Sequence, residues 1–128
     1  MEVRSAQILL AEDDPLVRDV IKIGLARRRE WQVEEAANGR EVVEKWRHGT
    51  FDVVLMDLQM PEIDGLVVTR LIRDSEAETG KHTAIIGFTA QVEEETLEDS
   101  INAGMDYVLC KPLYLDDLYA SIDHCLMD

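Results

Sequence analysis

Short apolar runs alternate with longer amphipathic segments along the whole chain, and no other feature of the sequence constrains its fold as strongly. The short runs predict buried strands, whereas the apolar residues between them recur at steps of three and four, which predicts helices. The predicted strands cover residues 8–11, 31–36, 53–56, 84–88 and 107–110. The predicted helices cover residues 16–25, a segment opening at Asn38, a segment opening at Gly65, and residues 92–103 and 115–126.

This order of elements predicts an α/β fold. Strands that are apolar on both faces and alternate with helices form parallel sheets covered by helices on each side. Five such units are too few to close an eight-stranded barrel. We therefore predict a three-layer, doubly wound, flavodoxin-like sheet of five parallel strands in the order 2-1-3-4-5. No Ser/Gly/Pro-rich linker divides the chain, so residues 1–128 are predicted to form a single domain.

Charge and composition exclude several classes of function. With 13 Lys and Arg against 27 Asp and Glu, the net charge is −14, which repels phosphate backbones and disfavours direct nucleic-acid binding. The longest apolar runs are too short for a bilayer, and the N-terminus shows no export signal, so no membrane contact is expected. Two cysteines without a CxxC motif predict neither a disulfide scaffold nor a zinc site. A reducing, cytoplasmic location is the resulting prediction.

Four of the five predicted strands end in a polar or charged side chain. The first runs into Glu12, Asp13 and Asp14, the third into Asp57, the fourth into Thr89 and the fifth into Lys111. Ligands of doubly wound sheets bind at the carboxyl ends of the strands. If strands one and three are neighbours, Asp13 and Asp57 lie about 5 Å apart.

Such a cluster predicts a metal site that suits phosphoryl transfer. Carboxylates so close together repel one another unless a cation joins them, and a hard divalent ion with oxygen ligands, Mg²⁺, fits best. The metal would neutralise phosphoryl oxygens, Lys111 would add a second positive charge, and the Thr89 hydroxyl would donate to a third oxygen. Asp57 is the candidate nucleophile, forming an acyl phosphate.

Some of these residues also have purely structural explanations. Asp14 and Asp64 fit the N-caps of the helices that follow them. The Thr89 hydroxyl can bond to local backbone, and Lys111 taken alone fits an exposed lysine. Asp57 is harder to explain in this way, because a carboxylate directly after a buried strand needs a partner.

Four blocks of sequence carry a family resemblance. They are LLAEDDP at residues 9–15, DLQMPEIDG at residues 57–65, FTA at residues 88–90 and KPL at residues 111–113. In this order they resemble response-regulator receiver domains, the phosphoacceptor modules of two-component signalling. The resemblance spans about residues 6–126, and the wording of the second and third blocks is similar to receivers attached to hybrid sensor kinases.

The resemblance implies a metal-dependent phosphoacceptor that catalyses only its own phosphorylation and dephosphorylation. Asp57 would take the phosphoryl group from the phosphohistidine of a histidine kinase or histidine phosphotransfer domain. Asp13, Asp57 and the backbone carbonyl of Gln59 would bind Mg²⁺, with Glu12 acting through a coordinated water.

The resemblance also implies a conformational switch. Thr89 would be the switch hydroxyl, Lys111 would pair with the phosphoryl group, and the Lys111–Pro112 peptide would be cis. The face formed by helix four, strand five and helix five would then change shape for a downstream target, and a phosphorylation-dependent dimer is compatible with this interpretation. Val108 departs from the family, because many receivers carry an aromatic residue there. Tyr107 is expected to face the opposite side of the strand, so the output change that is coupled to Thr89 is expected to be smaller or to follow a different route.

Three other classes of function fit part of this pattern. A phosphatase or phosphotransferase of the haloacid-dehalogenase type also uses a strand-end Asp with Mg²⁺, but it needs a second Asp where Gln59 stands, and a cap domain. An FMN carrier needs a phosphate-cradling first loop, which the acidic residues 12–14 oppose. A non-phosphorylated interaction module would usually have lost one of the acids, the Thr or the Lys.

The remaining reactive side chains have structural interpretations. His48 and His82 are predicted in loops, and His124 near the end of the last helix, where it favours the helix dipole. Cys110 is predicted to be a core residue of the fifth strand and Cys125 an inward-facing helix residue.

Overall fold

The structure is a computed structural model that describes residues 5–60 and 64–127. Strands and helices alternate along it as predicted: β1 (Ala6–Ala11), α1 (Pro15–Leu25), β2 (Trp31–Ala36), α2 (Gly39–His48), β3 (Val53–Asp57), α3 (Gly65–Glu76), β4 (Ala84–Thr89), α4 (Glu94–Ala103), β5 (Tyr107–Cys110) and α5 (Leu115–Leu126). The five strands form one parallel sheet in the order β2-β1-β3-β4-β5, which confirms the predicted fold class. Residues 61–63, part of the second family-like block, lie outside the described residues.

The sheet buries apolar side chains on both faces. Ile8 and Leu10 of β1 pack toward α1 and α5, whereas Leu9 and Ala11 pack toward α2 and α3. All five residues of β3 are buried, because β3 has a strand on each side and helices above and below. The strand ends that carry polar groups therefore rest on a close-packed support.

Helix boundaries follow the predicted caps. The side chain of Asp14 accepts a hydrogen bond from Leu16 N at 2.9 Å, and that of Asp64 accepts one from Leu66 N at 2.6 Å. Asn38 caps α2 in the same manner, through Glu41 N at 2.9 Å. Each cap satisfies a backbone N–H that the first helical turn leaves without a partner.

Two structural predictions are wrong. Cys110 is exposed, because β5 is the edge strand and its last residue emerges from beneath the helices. His48 is the last residue of α2 instead of a loop residue, and its position in the basic last turn of that helix suits the helix dipole. The placements of His82 in a loop, of His124 in the last turn of α5 and of Cys125 against the core are confirmed.

An ionic network around the buried Glu76 closes the end of the sheet opposite to the polar strand ends. The guanidinium group of Arg73 contacts Glu76 Oε1 at 2.5 Å and Asp106 Oδ2 at 2.9 Å. It also donates to the carbonyl oxygens of Thr83 at 2.8 Å and Gly104 at 2.9 Å. Glu76 is only 4% exposed, and its second oxygen accepts a hydrogen bond from Thr83 N. The network thus joins the end of α3, the approach to β4 and the connection between α4 and β5.

Candidate functional site

Neighbouring parallel strands bring the acidic residues together. Asp57 is the last residue of β3, and Glu12 directly follows β1, which pairs with β3. Both carboxylates are buried, at 2% exposure for Asp57 and 1% for Glu12. Carboxylate oxygens of Glu12, Asp13 and Asp57 all lie within 4.8 Å of one another, in agreement with the spacing expected from strand adjacency.

Lys111 supplies the positive charge of the site. Its Nζ lies 3.0 Å from Asp57 Oδ2 and 3.7 Å from Glu12 Oε1. Burial lowers the pKa of the lysine, but the hydrogen bond to Asp57 and the charges of the acidic residues raise it further, so the net shift is upward. Lys111 is therefore protonated at neutral pH. The interpretation of Lys111 as an ordinary surface lysine does not account for these contacts.

Glu12 carries a buried oxygen whose hydrogen-bonding capacity is unused. Its Oε2 accepts a hydrogen bond from Asp14 N at 3.2 Å, whereas Oε1 has no hydrogen-bond partner in the part of the chain that the structure describes. Burial is the main cause that raises the pKa of Glu12 to about 7, and the neighbouring acids Asp13 and Asp57 add to the shift. Buried carboxylate oxygens without enough donors are suitable ligands for a hard cation. The residues present therefore fit a divalent metal ion.

The raised pKa of Glu12 leads to a pH-dependent prediction. The pKa of the Glu12 carboxyl group is higher in the folded protein than its ordinary value of 4.5, so the protonated group stabilises the fold at pH values below 4.5. This contribution is lost as pH rises through about 7. For the metal-free protein, the free energy of unfolding should therefore fall as pH rises from 4.5 to about 7. Because a metal ion needs the ionised carboxylate, Mg²⁺ is expected to raise the melting temperature more at pH 8 than at pH 6.

Thermal denaturation with Mg²⁺ and with EDTA at several pH values measures this effect. The matched control is Glu12→Gln, which mimics the protonated side chain. It should flatten the pH dependence of the metal-free melting temperature. Equal melting with Mg²⁺ and EDTA at pH 8 would contradict a metal site.

The peptide of Gln59 lies beside Asp57. Gln59 N donates a hydrogen bond to Asp57 Oδ1 at 2.9 Å, and Lys111 Nζ donates one to Asp57 Oδ2 at 3.0 Å. The Lys111–Pro112 peptide is cis, as expected, and Lys111 N donates to the carbonyl of Thr89 at 2.8 Å.

Thr89 lies at the site in a locally bonded arrangement. It is the last residue of β4, 2% exposed, and its hydroxyl oxygen accepts a hydrogen bond from Gln91 N at 3.2 Å. The hydroxyl group of Thr89 therefore does bond to local backbone, as its structural interpretation predicts. Thr89 also lines a cavity of 190 Å³ between the start of α3 and α4.

Val108, which stands where many receivers carry an aromatic residue, packs on the opposite face of the sheet from Tyr107. Tyr107 packs on the α1 and α5 side of the sheet, edge-on to His124 with ring centroids 5.6 Å apart. Val108 packs on the opposite side, and its register partner on β4 is Gly87. The predicted opposite orientation of these two side chains is confirmed.

The reasoning from sequence missed one residue of the site. Phe88 lies beneath Lys111, whose Nζ is 5.6 Å from the centroid of the ring. No periodicity or spacing signals a contact between a strand residue and a lysine that follows another strand.

The chain is similar in sequence to known proteins. The family model for the response regulator receiver domain matches residues 8–123. The chain is 37% identical over 112 residues to the CAI-1 autoinducer sensor kinase/phosphatase CqsS of Vibrio cholerae, covering 88% of this chain and 16% of CqsS. It is 33% identical over 111 residues to the transcriptional regulatory protein ResD of Bacillus subtilis, covering 87% of this chain and 44% of ResD. The chain thus spans less than half of either relative.

A solved structure is similar as well. The receiver domain of sensor histidine kinase PA1611 from Pseudomonas aeruginosa PAO1, with magnesium coordinated in its active-site cleft, is 31% identical with a TM-score of 0.85. The match covers 97% of this chain and 99% of that one. No helix in the described ranges has the length and apolar character of a membrane span. The match to the family model and the shared fold show that the chain belongs to the response regulator receiver domains, the phosphoacceptor domains of two-component signalling.

Proposed function

We propose that Asp57 is the phosphoryl acceptor of this domain and that Mg²⁺ is its cofactor. The observation that carries the proposal is the position of the Asp57 carboxylate, between two acidic side chains and a lysine ammonium group at 3.0 Å. The family assignment excludes the haloacid-dehalogenase type of enzyme and the FMN carrier. Phosphorylation by acetyl phosphate with Mg²⁺ distinguishes a phosphoacceptor from a non-phosphorylated interaction module.

Each residue of the site has a separate role in phosphoryl transfer from the donor phosphohistidine to Asp57. An oxygen of Asp57 attacks the phosphorus, the phosphorus–nitrogen bond of the donor phosphohistidine breaks, and the imidazole of the donor leaves. Asp13, Asp57 and the Gln59 carbonyl would hold Mg²⁺, with Glu12 acting through water, and the bound ion would neutralise charge on the phosphoryl oxygens.

Two further side chains would respond to the new phosphoryl group. The ammonium group of Lys111 leaves Asp57 Oδ2 and binds a phosphoryl oxygen. The hydroxyl group of Thr89 turns away from Gln91 N and donates to a second phosphoryl oxygen. Because Lys111 N is bonded to the Thr89 carbonyl, these two movements affect the same edge of the sheet, next to α4, β5 and α5. The roles of both residues, the single-domain organisation of residues 1–128, the cytoplasmic location and a phosphorylation-dependent dimer stay predictions.

The experiment that tests the proposal is incubation with acetyl phosphate and Mg²⁺, followed by measurement of the intact mass. We expect a gain of one phosphoryl group that requires Mg²⁺, is absent with EDTA and is removed by hydroxylamine, which cleaves acyl phosphates. No gain, together with no binding of Mg²⁺, would favour an interaction module.

The partner proposed here is a phosphohistidine protein that docks on α1. Leu16, Val20 and Ile23 are 72%, 64% and 67% exposed and lie on one face of α1 at steps of four and three. The helix begins next to the acidic residues, and Arg18 donates to the Glu12 carbonyl at 2.8 Å, so this face is continuous with the rim of the site. A donor that must place its histidine beside Asp57 covers this face at the same time.

Val20→Glu tests this docking surface. A charge in the middle of the apolar face should slow phosphoryl transfer from a phosphorylated histidine phosphotransfer protein by about tenfold or more. Labelling by acetyl phosphate, which needs no docking, serves as the internal control and should not change. An equal loss with both donors would instead indicate damage to the site itself.

A further inference from the structure

The aromatic ring of Phe88 is fixed close to the cation of the site. Phe88 is completely buried and pairs in register with Asp57 on the neighbouring strand. Its carbonyl accepts a hydrogen bond from Leu58 N at 2.9 Å, which ties the two strands together at this point. The position of the ring relative to the Asp57 carboxylate is therefore determined by the backbone and by the core.

The contact between Lys111 and the ring has a specific physical basis. Nζ lies over the ring face at 5.6 Å from the centroid, within the range in which the negative face of an aromatic ring attracts a cation. The lysine side chain is only 29% exposed, so water weakens this attraction less than it does at an open surface. An aliphatic side chain in the same place excludes water equally well, but it lacks the negative face.

We propose that Phe88 is a positioning residue, whose ring face holds the Lys111 ammonium group at the phosphoryl site before and after transfer. The inference rests on the proposed function of Asp57 and Lys111. During transfer the ammonium group exchanges a carboxylate oxygen for a phosphoryl oxygen that lies farther out, so one directional hydrogen bond breaks before the next forms. Attraction to a ring face tolerates such a displacement, and it keeps the cation at the site during the exchange.

Fluorinated phenylalanine tests the proposal with almost no change of shape. The chain contains only two phenylalanines, so biosynthetic replacement in a Phe51→Leu background alters the ring of Phe88 alone. Each added fluorine makes the ring face less negative. The initial rate of phosphorylation by acetyl phosphate with Mg²⁺ should fall stepwise from no fluorine to three, by about two- to fivefold in total. Melting temperatures of the series identify any loss of packing.

The same series in a Lys111→Met background is the matched control. If the ring acts through Lys111, fluorination changes the rate only where the lysine is present. A rate that does not depend on fluorine while Lys111 is present would overturn the proposal and leave Phe88 as a packing residue. Failure of the proposed function is distinguishable, since the unfluorinated protein would then take up no phosphoryl group.

A second readout needs no phosphorylation. The ring current of Phe88 should shift the ε-methylene protons of Lys111 upfield of those of the other three lysines in NMR spectra of the metal-free protein. The shift should disappear in Phe88→Leu. Lys111 signals that do not move between the two proteins would show that the ring and the lysine are not in contact, and would overturn the proposal.

Discussion

Replacing Asp57 by Asn is expected to abolish phosphorylation of the domain and to leave it folded. An amide oxygen is a far weaker nucleophile than a carboxylate, and no acyl phosphate forms from it. The amide has the same shape, and its oxygen still accepts the hydrogen bond that Gln59 N donates to Asp57 Oδ1. The change also removes one of three crowded negative charges, so metal-free stability should not fall.

Intact mass after incubation with acetyl phosphate and Mg²⁺ measures the effect. The labelled fraction should fall by about a hundredfold or more relative to the wild type. The matched control is Asp64→Asn, the same chemical change at the N-cap of α3, where Asn caps a helix as well as Asp does. This variant should label normally. Full labelling of Asp57→Asn would show that another carboxylate is the acceptor.

The second large effect is expected at the opposite end of the sheet. Arg73→Met should lower the free energy of unfolding by about 3 to 5 kcal/mol, because it leaves the carboxylate of Glu76 buried without its countercharge. The carbonyls of Thr83 and Gly104 lose their donors as well. In a domain of this size, the melting temperature should fall by on the order of 10 °C.

Thermal and urea denaturation measure this loss, and Arg70→Met is the control on the same helix. Arg70 is exposed, so its replacement should change the free energy of unfolding by less than about 0.5 kcal/mol. Phosphorylation of Arg73→Met well below its melting temperature should proceed at the wild-type rate, because the network lies at the far end of the strands from Asp57. Equal stability of the two variants would show that the network contributes little.

Much of the fold was predictable because its signals are local. Buried strands in a parallel sheet are apolar on both faces, and the Asp14, Asn38 and Asp64 caps use side chains two or three residues from the N–H groups that they satisfy. Strand order then brings Glu12 and Asp57 together, so the acidic part of the site was predictable too.

The wrong and missing predictions concern residues whose exposure or contacts depend on elements that are distant in the sequence. Cys110 has the apolar neighbours of a core residue, but its exposure depends on how far the helices extend over an edge strand. Arg73 and Glu76 have the charge and spacing of a solvated helix face, and they are covered by the approach to β4 and by the α4–β5 connection. The contact between Phe88 and Lys111 also joins residues that are distant in the sequence, one on β4 and one directly after β5.

The order of the strands gives the two halves of the proposed phosphoryl site unequal support. Its acidic half follows β1 and β3, which lie inside the sheet, whereas its basic half follows β5, the partly exposed edge strand. We therefore expect a force that develops between Asp57 and Lys111 on phosphorylation to displace the edge strand more than the interior strands. A partner that contacts β5 and its neighbours would then respond without contacting the phosphoryl group.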